Sequence, residues 1–172
     1  MRKILIALLV VIILLSGSYL FYNFKINIAE KKKYGVIHIK DFETKNEYFK
    51  ALSPKDLNPK SFIKVFTEKY NKDSAFNYVL MLGEFPNNWV NPNDVHYLMS
   101  IMRSKEKCCG YMNLFSSTLS IENGEVGGFA IIFLNSYISN TKINLGLNCN
   151  PKTDEESVKK IENWYRNMKD KN

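Results

Sequence analysis

The sequence predicts a mainly α-helical domain behind a single N-terminal transmembrane helix, with a short strand or hairpin as a minor element. Three observations predict it. An uncharged apolar run fills the N-terminus, Asn-Pro and Ser-Pro pairs recur where helices would begin, and apolar residues follow them at i, i+3, i+4, i+7.

Arg2 and Lys3 precede an apolar run from Ile4 to Leu15. After Ser16, Gly17 and Ser18 the run resumes with Tyr19, Leu20, Phe21, Tyr22 and Phe24, and no charge occurs between Lys3 and Lys25. Ile4 to Phe24 is about 21 residues, and about 20 cross a bilayer as a helix. Two processed forms fit. One is an uncleaved signal-anchor whose aromatic end, Tyr19 to Phe24, lies at headgroup level. The other is a signal peptide cut near Ser16 and Ser18. The apolar stretch continuing past the cut favours the anchor. No cysteine follows the run, which argues against a bacterial lipoprotein. Membrane lipid is then a partner through residues 4–24. A short basic start sends the rest of the chain across, so the expected location is a single-pass membrane protein with a non-cytoplasmic (periplasmic or extracellular) domain.

Residues 25–33 read as a polar, lysine-rich juxtamembrane spacer, and residues 34–172 as one small domain. A chain of this size buries roughly 68–70% of its unfolded surface. The net charge is +7, of which Arg2 and Lys3 supply two. Lysine outnumbers arginine 21 to 3. Arginine is the usual reader of phosphates and base edges, so nucleic acid is excluded as an expected partner.

Tyr34 to Lys40 is short and β-branched, a candidate strand. Phe42 to Leu52 has helical spacing at Tyr48, Phe49 and Leu52. Leu57-Asn58-Pro59 with Phe62, and Val90-Asn91-Pro92 with Val95, each combine an Asn cap, a proline at the first helical position and a hydrophobic staple. Leu52-Ser53-Pro54 with Leu57 repeats the pattern over a single turn, and Asn150-Pro151 shares the cap-proline pair. Helices are predicted from Pro59 to Tyr70, from Ser74 to Leu82 with Gly83 as terminator, and from Pro92 to Ser104. A turn is expected at Cys108-Cys109-Gly110. Residues 111–138 admit two readings: a hairpin about Asn123-Gly124, or a helix from Val126 to Ile138 with glycines in its first turn. An apolar run longer than a strand favours the helix. Thr153-x-x-Glu156 reads as a capping box for a last helix with Val158, Ile161, Tyr165 and Met168 inward.

No catalytic, cofactor or metal residues emerge. His38 and His96 are the two histidines. Asp94 and His96 are two apart and point away from each other on a helix, and Asp94 has a structural task at the helix start. Zinc would need three or four ligands at recognised spacing. Glu84, Glu122 and Glu125 have no fixed mutual spacing, and Gly127-Gly128 is too short for a phosphate loop. Trp89, Trp164, Tyr97 and Tyr111 suit a core more than an interface. In an exported domain Cys149 could bridge Cys108 or Cys109, with Cys109 and Cys149 one candidate pair. Closing about 40 residues stabilises by about 2–4 kcal/mol. Adjacent Cys108 and Cys109 would form a strained, easily reduced bridge.

These readings point to a membrane-anchored, non-enzymatic protein-interaction module, such as an inhibitor, an immunity-type partner or an accessory subunit. Two alternatives stand beside it. An exported enzyme using a thiol or a histidine requires a pocket gathering His96 with a cysteine or carboxylate. A lipid- or ligand-binding domain requires a large apolar cavity.

Overall fold

Both Asn-Pro pairs start helices. In the computed structural model, which describes residues 52–72, 77–119 and 122–169, α1 spans Pro59–Lys69 and α2 spans Pro92–Ile101. Asn58 Oδ1 accepts the Ser61 N–H at 2.7 Å. Asp94 Oδ2 accepts the Asn91 N–H at 2.9 Å, the return half of a capping box. The staple residues Leu57, Phe62, Val90 and Val95 are buried, and Pro54–Asp56 forms one 3₁₀ turn. All described residues belong to the second of two units into which the chain divides, Val36–Asn172.

The mainly α expectation is corrected. Among the described residues four helices stand with a mixed sheet. Where a helix is predicted over Ser74 to Leu82, β1 runs through Tyr78–Met81 with alternating burial. Four apolar residues in a row do not separate a helix from a strand by periodicity. Gly83, at φ 96°, ends a strand rather than a helix. Where a turn is predicted, β2 (Lys107–Cys108) and β3 (Gly110–Asn113) form. β4 is Gly124–Glu125 and β5 is Asn148–Cys149. β1 and β3 are parallel, joined through α2, with Tyr78 opposite Gly110 and Met81 opposite Asn113. β5 lies antiparallel on β3, Tyr111 facing Cys149. β2 and β4 make a separate antiparallel pair. Leu52 adds a parallel bridge to Met81 at the other edge of β1.

Val126–Ser139 is α3, so Asn123-Gly124 leads through β4 into a helix instead of turning a hairpin. The two glycines of its first turn have a packing reason. A Cβ on Gly127 would sit 2.5 Å from Met102 O and 2.6 Å from Ser104 O; one on Gly128 would sit 2.6 Å from the Pro151 carbonyl carbon. The approaching backbone satisfies the helix start: Val126 N–H donates to Glu106 O and Gly127 N–H to Ser104 O, both at 2.9 Å. Apolar on nearly every side, α3 is the central helix, packed on α1, on α2 and on α4 (Glu155–Lys169). The cap of α4 is Asp154, whose Oδ2 accepts the Ser157 N–H at 2.7 Å, one residue later than the predicted capping box. Thr153 Oγ1 donates instead to Ser104 O at 2.8 Å. Val158 and Ile161 are buried as predicted.

The core is aromatic. Phe62 stacks on Phe66 with centroids 3.9 Å apart and meets Phe133 edge-on at 5.2 Å. Phe129, Phe85 and Trp89 complete the cluster. The Trp89 indole N–H donates to Leu57 O at 2.7 Å and Pro54 O at 2.9 Å, so its one polar atom is satisfied inside.

The predicted span, with Ile4, Leu15, Tyr19 and Phe24, lies outside the described residues, as do the candidate strand Tyr34 to Lys40 and His38. Among the described residues no helix is long and apolar enough to cross a membrane. That finding does not fit the expected single-pass membrane protein with a non-cytoplasmic domain.

Candidate functional site

The residues singled out from sequence do not assemble. His96 is exposed on α2, and Asp94 is occupied at the helix start. Glu125 Oε2 accepts the Thr153 N–H at 2.9 Å, which lowers its pKa. Glu84 pairs with Lys142, which lowers the Glu84 pKa. Among the described residues no three histidine, cysteine or carboxylate side chains are grouped to hold a metal.

Cys108, Cys109 and Cys149 are thiols in this structure, and the register sets Tyr111 rather than Cys109 opposite Cys149. Burial pushes the Cys108 thiol up to about 12, helped by Cys109 and Glu106, and pushes Cys149 up to about 11. A thiol of that kind is protonated at neutral pH and is a poor nucleophile.

What the structure does assemble lies at the end of the sheet where β1 and β3 finish and β5 begins. Leu82, Leu114 and Leu147 follow or precede these strands and are 37%, 44% and 54% exposed; Phe115 and Leu119 in the next loop are 76% and 54% exposed. Ladder bonds hold the three strand-end leucines together. Leu82 N–H donates to Leu52 O (2.8 Å), Leu114 N–H to Met81 O (2.9 Å) and Asn113 N–H to Leu147 O (2.8 Å).

The loop carrying Phe115 is pinned. Asn113 Oδ1 accepts the Phe115 N–H at 2.9 Å, and Asn113 O accepts the Ser116 N–H at 2.9 Å. Asn148 Nδ2 reaches from β5 to Ser116 Oγ at 2.8 Å and to Thr118 O at 3.2 Å. Polar contacts therefore fix the loop backbone that carries the largest exposed apolar side chain of the described residues.

Beside it opens a groove of about 500 Å³ between the Gly83–Phe85 turn, β3 and residues 142–147, with Phe85, Tyr111, Ile143 and Leu145 among its lining. Asn113 and Leu147 belong to both groove and patch. The Glu84–Lys142 ion pair crosses its rim. A smaller cleft of about 280 Å³ lies between residues 88–92 and the end of α3, lined by no charged residue. Neither cleft is lined by histidine or cysteine. The sequence carries one signal for the sheet end that periodicity does not use: no charge occurs between Lys107 and Glu122 or between Lys142 and Lys152.

No protein-family model matches the chain, and no curated protein or solved structure matches it significantly.

Proposed function

We propose that this protein is a non-enzymatic protein-interaction module whose contact surface is the apolar sheet end around Phe115. The observation that carries the reading is a phenylalanine 76% exposed in a loop that hydrogen bonds hold in place. Burying such a ring is worth about 1.5–3 kcal/mol, and a fold that fixes it outward forgoes that gain within the monomer. The surroundings support the same reading. Interface cores are depleted in charge and enriched in aromatics, and this surface combines Phe115 with leucines and uncharged Asn, Ser and Thr. A pinned loop also has little conformational entropy left to lose on binding.

A photoreactive phenylalanine analogue at position 115 tests this in cells, with the same analogue at Lys64, on the exposed face of α1, as control. The expected result is a discrete adduct from position 115, none from position 64, and loss of the adduct when Leu147→Asp is added. No adduct from position 115, or equal adducts from both positions, contradicts the reading.

A further inference from the structure

We draw no further inference here: the strongest candidate, the groove of about 500 Å³ lined by Phe85, Tyr111, Ile143 and Leu145 at the sheet end, is an apolar recess, and nothing in the structure shows what covers it.

Discussion

Two regions of this molecule are built from the same kind of residue and treated in opposite ways. Phe62, Phe66, Phe129 and Phe133 are fully buried and pack ring against ring. Phe115, like Leu114, Leu119 and Leu147, is exposed, and polar contacts anchor the loop that carries it. The difference is that the first group is explained by the stability of the chain itself, and the second is not. A large side chain left exposed on an anchored loop is what the proposed contact surface requires.

The sharpest break in the comparison is a cavity. Phe62→Ala or Phe133→Ala should cost about 3–5 kcal/mol, read from denaturant unfolding. A loss below 1 kcal/mol would mean the cluster is not the core. Next comes the seam at the start of α3. Gly127→Ala drives a methyl into the carbonyls of Met102 and Ser104, at 2.5 and 2.6 Å, where only backbone can yield; the expected cost is about 1–3 kcal/mol.

The thiols sharpen the comparison through pH. The Cys108 and Cys149 values in the folded chain, about 12 and about 11, stand above the ordinary 9.0. Between those limits the unfolded chain loses its thiol protons and the folded chain keeps them. Stability is therefore full below pH 9 and falls as pH rises toward 12, by at most about 1.4 kcal/mol per pH unit per thiol. Cys108→Ala should flatten that slope relative to wild type. Native thiols should also alkylate slowly at pH 8 and quickly once unfolded; fast native labelling would contradict the burial. The smallest effect is at the loop. Asn148→Ala removes the two bonds to Ser116 and Thr118, costing about 0.5–1.5 kcal/mol. It should lower the adduct yield from position 115 by more than this small loss would suggest, because the loop is no longer anchored.

The helix starts were legible because capping is local: Asn58, Asn91 and the prolines after them act within one turn. The strands were not. β1 is four residues, β2, β4 and β5 are two each, and their pairing comes from chain segments far apart in sequence. By propensity alone Gly127 and Gly128 disfavour a helix; the backbone they admit comes from Met102, Ser104 and Pro151. The candidate site was missed for a related reason. Leu114 and Phe115 look like core residues by type, and nothing local says that Asn113 and Asn148 fix the loop outward. The charge-free stretches on either side were the available signal.

One measurement weighs fold against interface most directly: the unfolding free energy of Phe115→Asp, taken at low protein concentration so that association adds nothing, alongside adduct formation from a photoreactive analogue at position 147 of the same surface. The account predicts stability within about 0.5 kcal/mol of wild type, as for a surface substitution, together with loss of the adduct. A drop as large as that of Phe62→Ala, with the adduct intact, would place Phe115 in the fold and contradict it.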